Sequence, residues 1–382
     1  MLTHPLILGG LSAGESDRIL SANEAEGVVP SRMGYAVPQY SRKAVNQAGE
    51  CLIANEKVVW VANRDQMLAI INNWRSSHAF PLRSFKMTLL ARAKRIDKKA
   101  IVAQRLKRLP SIELKLRRFQ SMKLSQMQDL GGCRAVVRNI RNLEALIKVY
   151  EQGRSKNPTK RHEFIHEKNY IISPKDDGYR GVHLIYRFRS TSRRHKLYNG
   201  LKIEIQLRTR LQHAWATSVE TVSLFTGQAL KFSGGEAEWR RFFALMSSVI
   251  ALRERKPLIP GAPKDKETLI KELRGLTIRL NVQKCLRGWA YALTRLPAKN
   301  VTNAVAFLVV LDLKAWTLNT TGFKQEELSK ASESYLAIEK ASNPNVQAVL
   351  VSLDSVHAMR SAYPNYYLDA SEFIRALDFA LR

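Results

Sequence analysis

Cysteine is scarce in this chain: Cys51, Cys133 and Cys285 are its three thiols, far apart and without a Cys-x-x-Cys pair. That spacing excludes a zinc ribbon and a disulfide framework, and a reducing cytoplasm is the expected compartment. Long apolar runs are missing too. No stretch reaches the roughly 18 uncharged apolar residues of a membrane span, so no membrane partner is expected. The opening residues Met1 to Gly14 lack a basic leading region, so a secretory signal is not expected. There is no internal repeat and no low-complexity tract. Carboxylates are the last shortage: 33 Asp and Glu face 62 Lys and Arg, a formal net charge of +29. Such a field attracts polyanions, so the partners should be rich in phosphate. Charge alone does not separate a nucleotide cleft from an RNA surface or a merely solvated one.

What is present is a chain of 382 residues, 45% hydrophobic, enough for two or three domains with ordinary cores. Residues Met1 to Pro38 read as a loosely held leader. Helical spacing runs from Val45 through Trp74, with Pro81 as a breaker. Phe85 to Arg118 is strongly basic and helical at both ends, with Pro110 as a stop and Ser111 capping a second helix. Cys133–Val137, Tyr170–Ile172, His183–Arg189 and Leu201–Leu207 read as strands, the last two alternating as strands covered on one face do. Helices are expected over Asn142–Gln152, Arg210–Thr226 and Glu238–Arg253, and the proline-bearing Lys256–Lys266 reads as a linker. Beyond it come a helix over Glu267–Arg287, paired strands Asn303–Leu313 and Lys314–Phe323, a helix over Lys324–Ser342 and a strand Val346–Leu353. A last helix, Asp369–Arg382, carries a capping box of Asp369 and Glu372. The expected fold is α+β: a mixed β-sheet flanked by helices, with a helical N-terminal lead-in (1–84), a central domain (85–256) and a small C-terminal α+β module (267–382).

Three polar islands between apolar runs carry the chemistry. They are Asp129-Leu130-Gly131-Gly132-Cys133-Arg134, Lys175-Asp176-Asp177-Gly178-Tyr179-Arg180-Gly181-Val182-His183, and Glu204-Ile205-Gln206-Leu207-Arg208. Each sets a carboxylate or an aromatic ring beside cationic and glycine positions at a strand edge, as a site for nucleotide phosphates and a divalent metal requires. Strand alternation puts Glu204, Gln206 and Arg208 on one face and Ile203, Ile205 and Leu207 on the other. Asp129, before two glycines, can reach a Mg²⁺; taken without the other motifs it reads first as a turn aspartate. Gly178 permits close backbone approach beside the Tyr179 ring.

Four motifs follow in order: R-L-K-x-x-x-S-I-x-x-K-L from Arg105, D-L-x-G-x-R from Asp129, G-Y-R-x-x-H from Gly178, and E-x-Q-x-R-T from Glu204. On them, Gln104 to Arg208 resembles the synthetase domain of the RelA/SpoT family. The resemblance implies a nucleotidyltransferase-like core. It also implies Mg²⁺-dependent transfer of the β,γ-pyrophosphate of ATP to the 3′-hydroxyl of GDP or GTP, giving guanosine tetra- or pentaphosphate. Asp129 and Glu204 are then the catalytic and metal-binding acids, Glu204 orienting and deprotonating the acceptor hydroxyl. A basic helix pair with Arg105, Lys107, Ser111 and Lys115, together with Arg134, holds the donor nucleotide. Lys175, Tyr179 stacked on guanine, His183, Gln206 and Arg208 serve the acceptor, with Arg180 near its phosphates or the reacting groups. Asp177, Gly181 and Thr217 depart from the commoner Asn, Ser and Glu, which bears on acceptor choice. No His-Asp dipeptide occurs, so the family's hydrolase domain is not expected. Two other readings stay open: a toxin that pyrophosphorylates the 3′ end of tRNA, and a noncatalytic nucleotide sensor, against which the two acids speak. Contact with tRNA or a ribosome, homo-oligomerisation and the role of the C-terminal module are left open.

Overall fold

The computed structural model describes residues 35–54, 60–156, 162–225, 237–295, 304–312, 315, 317–340, 346–352 and 366–382. Most of the expected leader lies outside them. Its last residues are held rather than loose: Asn73 Nδ2 donates to the Val37 carbonyl (3.0 Å), and Arg83 donates to the Tyr35 hydroxyl (2.7 Å).

The chain divides into two compact units. One comprises residues 1–135, 144–168 and 183–207, the other 136–143, 169–182 and 208–382. The first opens with helices α1 (Arg42–Ile53), α2 (Trp60–Ser76) and α3 (Ala79–Ile96). Ser41 starts α1 by accepting the Ala44 N–H. The expected run from Val45 to Trp74 is thus two helices. Pro81 lies in the first turn of α3, where its missing N–H costs nothing, so it belongs to a helix start.

Strand β1 (Ile101–Leu106) stands where the sequence predicts helix, and α4 (Leu109–Arg118) begins after Arg108 with Pro110 in its first turn. Ser111 is therefore inside that turn and is not its cap. Then come β2 (Gly131–Val137), α5 (Ile140–Lys156), β3 (Glu163–Asn169), β4 (Val182–Arg187) and β5 (Lys202–Thr209). Asn139 starts α5 by accepting the Asn142 N–H. Tyr170–Ile172 is a turn after β3, held by Asn169 Oδ1, and not a strand.

The strands form a mixed five-stranded sheet in the order β1-β2-β5-β4-β3, flanked by helices. Ile203, Ile205 and Leu207 of β5 are buried while Glu204 and Gln206 keep some exposure, the alternation expected; it stops at Arg208, which is buried although the sequence puts it on the face of Glu204 and Gln206. β5 approaches β2 closely: a Cβ on Gly131 would lie 2.8 Å from Ile203 Cδ1.

The second unit holds α6 (Arg210–Phe225), α7 (Ala237–Glu254), α8 (Lys266–Arg279) and α9 (Val282–Arg295). It continues with β6 (Ala306–Asp312), β7 (Thr317–Phe323), α10 (Leu328–Lys340), β8 (Val346–Ser352) and α11 (Tyr366–Leu381). Asn281, at φ 49°, separates α8 from α9, where one helix is predicted. β6 pairs antiparallel with both β7 and β8. α11 starts three residues before Asp369, so Asp369 is a helix residue and not a cap. Trp215, Phe242, Phe243, Leu273, Phe373 and Leu377 share one core that spans both sides of the 256–266 segment. Among the described residues no helix is long and apolar enough to cross a membrane.

Candidate active site

Asp129 stands at the foot of β2 between two lysines. Lys107 Nζ donates to its Oδ2 (2.9 Å) and Lys115 Nζ to its Oδ1 (2.8 Å). Lys107 follows β1 directly, and its backbone is fixed on both sides: its N–H donates to the Leu130 carbonyl and its carbonyl accepts from Arg75 Nε. Lys115 lies on α4 one turn after Ser111, the i, i+4 spacing that puts both on one helix face. Burial pushes the Asp129 carboxyl up; the two ammonium groups outweigh burial and the repulsion of Glu204, leaving it below its ordinary value.

Glu204, on the central strand β5, is the second acid. His183 Nδ1 lies 2.9 Å from its Oε1, and Gln206 Nε2 donates to its Oε2 (2.6 Å). Burial would raise its pKa, but His183, Gln206 and Lys115 hold it down at about 2. A carboxylate only accepts, so His183 carries its proton on Nδ1. Lys115 thus acts on both acids, and the acids repel each other: Asp129 and Glu204 share one electrostatic neighbourhood. Arg134 lies on the less buried register of β2, and Arg105 is exposed on β1 and is not on a helix. The expected basic helix pair is thus a strand and a helix.

Among the described residues no group of three or more His, Cys, Asp or Glu is placed to hold a metal ion. Magnesium needs fewer, because it keeps waters and takes phosphate oxygens with one or two carboxylates. Asp129 and Glu204, both ionised and near one another, fit that demand. Each carboxylate oxygen offers two lone-pair directions, so the bonds now made by lysines, His183 and Gln206 leave others open.

Lys175, Tyr179 and Arg208, expected from the sequence to serve an acceptor, form their own cluster in the second unit. Gly178 adopts φ +88°, and a Cβ there would lie 3.0 Å from both Ser247 Cβ and the Trp215 ring. Asp177 Oδ1 accepts the Tyr179 N–H (2.8 Å), a turn that asparagine would make equally well, so this departure preserves the loop. Tyr179 meets Tyr170 edge-on at 5.5 Å, with the Lys175 ammonium 5.5 Å and the Arg208 guanidinium 4.9 Å from its ring centre. Arg208 also donates to the Tyr179 hydroxyl. Arg180, expected near the acceptor, is instead buried, bonded to Ser247 Oγ (2.8 Å) and the Pro257 carbonyl (2.7 Å), and acts as an internal strut. Burial lowers its pKa to about 10.

A family model described as the region found in RelA / SpoT proteins matches residues 104–225. This chain carries a RelA/SpoT region. Among solved structures, small alarmone synthetase 1 from Bacillus subtilis bound to its product pppGpp is 20% identical, over 47% of this chain and 89% of that one, with a TM-score of 0.39. Small alarmone synthetase 2 from the same organism is 19% identical, over 48% and 94%, at 0.40. A GTP pyrophosphokinase family protein from Streptococcus pneumoniae is 18% identical, over 47% and 86%, at 0.37. No curated protein matches the chain.

One supporting group of the RelA/SpoT region escapes the sequence reading. Thr209 and Gln212 cap α6 reciprocally, each side chain accepting the other's N–H at 3.2 Å. The T-x-x-Q spacing before an apolar helix is the signal that finds them. Glu254, beyond the matched residues, accepts from both side chains, at 2.6 and 2.7 Å.

Proposed function

We propose that the protein transfers the β,γ-pyrophosphate of ATP to the 3′-hydroxyl of GDP or GTP. The reading is supported by one observation: Lys115 bonds Asp129 and its charge also acts on Glu204, so the two acids share one basic neighbourhood within the residues that match the RelA/SpoT region. In this reaction the acceptor oxygen bonds to the β-phosphorus, the bond from that phosphorus to the α-phosphate oxygen breaks, and AMP leaves. The two acids would hold Mg²⁺, which supplies neutralisation of the phosphates and a lowered proton affinity at the acceptor hydroxyl. Lys107 and Lys115 turn from Asp129 to the donor phosphates, with Ser111, Arg105 and Arg134 beside them. Glu204, kept anionic, aligns the acceptor hydroxyl and takes its proton as the bond to phosphorus forms. His183 and Gln206 fix the Glu204 carboxylate. Tyr179 offers a face to the acceptor base, and Lys175 and Arg208 offer cations to its phosphates.

The test is incubation of the full chain with terminally labelled ATP, Mg²⁺ and GDP, GTP or total tRNA, followed by separation of products. Label in a guanosine product is expected. Label on tRNA alone would replace GDP and GTP as acceptors, which the charge of +29 makes worth including. Glu204→Gln and Asp129→Asn should each lower turnover about 100-fold or more. Near-normal turnover in either variant removes that residue from the reaction. Tyr179→Ala should raise KM for the acceptor about tenfold with a smaller change in kcat, since stacked aromatic contacts contribute on that scale.

A further inference from the structure

A cavity of about 590 Å³ lies within the second unit, where the first residues of α5 and α6 meet the end of α7 and helix α11. Its lining carries four arginines: Arg138, Arg210, Arg253 and Arg375. None belongs to the residues assigned to pyrophosphate transfer. Two carboxylates, Glu254 and Glu372, share the lining. Both Glu254 oxygens accept from the neutral Thr209 and Gln212 side chains, and four guanidiniums against two carboxylates leave the lining with a surplus of positive charge.

Four guanidiniums around one hollow repel each other, and a polyanion relieves that repulsion. Guanidinium forks match phosphate oxygens in geometry as well as in charge. The N-terminal ends of two long helices, α5 and α6, open on the same space and add positive dipole ends. At the rim Phe379 is 69% exposed, a large ring left in water, with the Arg253 guanidinium 5.6 Å from its centre. Ile140, Leu211 and Ala376 supply apolar wall. Phosphate forks, an apolar wall and an exposed ring suit a ligand with a planar base at one end and several phosphates at the other, and the volume is that of a small-molecule site. We infer that this cavity binds a nucleoside polyphosphate at a second site, separate from the substrates of the transfer reaction.

The test uses the full chain and equilibrium dialysis of labelled GTP, with inorganic tripolyphosphate as competitor and without ATP or Mg²⁺. Arg253→Gln and Arg375→Gln are the probes; both side chains are exposed, and unchanged thermal midpoints would confirm that each variant folds. Each should weaken one class of GTP binding about tenfold or more, the loss of a charge-assisted fork. That class should persist in Tyr179→Ala, and kcat without added effector should stay as in the unaltered protein. Unchanged GTP binding in both arginine variants overturns the site. If they lose affinity only for an RNA duplex and not for GTP or tripolyphosphate, the surface is an RNA contact and the inference is equally overturned. The dialysis reads binding alone, so it stands even if no pyrophosphate transfer is found.

Discussion

Gly178 shows how much one residue's backbone decides. Its φ of +88° lies where side chains are strained, and Ser247, Trp215 and Ala244 would crowd a Cβ at 3.0–3.2 Å. The Tyr179 ring is aimed by that turn, by the Asp177 carboxylate and by the cationic Lys175 and Arg208. Gly178→Ala should therefore cost about 1–3 kcal/mol of stability, read from urea unfolding. It should also raise KM for the acceptor more than it lowers kcat. A variant with unchanged stability and unchanged KM would mean that the turn tolerates a side chain and does not aim the ring. At this scale the candidates Asp129, Glu204 and Tyr179 stand out in the sequence because they sit in short motifs with fixed spacing. Arg180 was misread for the opposite reason: a cationic residue inside such a motif looks like a phosphate ligand until its buried partners, Ser247 and Pro257, far along the chain, are known.

Among elements, β5 was legible and β1 was not. Ile203, Ile205 and Leu207 alternate with polar residues because one face of a central strand is covered, and that period survives in sequence. β1 lies at the edge of its sheet and is only partly buried along its length, so no period of two marks it, and its basic neighbours resemble a helix. The hold on the start of α6 was half legible: Thr209 and Gln212 announce a cap, whereas Glu254 has no local sign. Burial pushes the Glu254 carboxyl above its ordinary 4.5, against its bonds from Thr209 and Gln212 and the charges of Arg180 and Lys256. The folded protein thus keeps a proton that the unfolded chain has released. This term favours folding below the raised pKa, and stability falls as pH rises from 4.5 through it. Glu254→Gln preserves an acceptor and removes the titration. Urea unfolding at about pH 4 and about pH 7 should show a smaller loss on going up in pH for the variant than for the unaltered chain, and equal losses would refute the assignment.

At the scale of the whole molecule, the segment beyond the RelA/SpoT region completes a core as well as adding elements. Phe373 of α11 is fully buried, with its ring 5.8 Å from Phe243 and 6.2 Å from Phe242 of α7. Leu269, Leu273 and Leu276 of α8 enter the same cluster as Trp215 and Val219 of α6. Helices that directly follow β5 therefore owe part of their burial to residues more than a hundred positions later. A chain ended after Pro263 would strip Phe242 and Phe243 of their Phe373 contacts, and exposed aromatic surface of that kind drives aggregation. Phe373→Ala is the milder form of the same cut. Emptying a buried ring costs about 3–5 kcal/mol, a large part of the roughly 5–15 kcal/mol that holds an ordinary domain together. The variant should unfold at markedly lower urea concentration and lose pyrophosphate transfer at temperatures where the unaltered chain retains it. The truncated chain should bind a hydrophobic dye and lack a sharp thermal transition. If it instead unfolds sharply at the midpoint of the full chain, the C-terminal helices are dispensable to α6 and α7, and the shared core has no energetic weight.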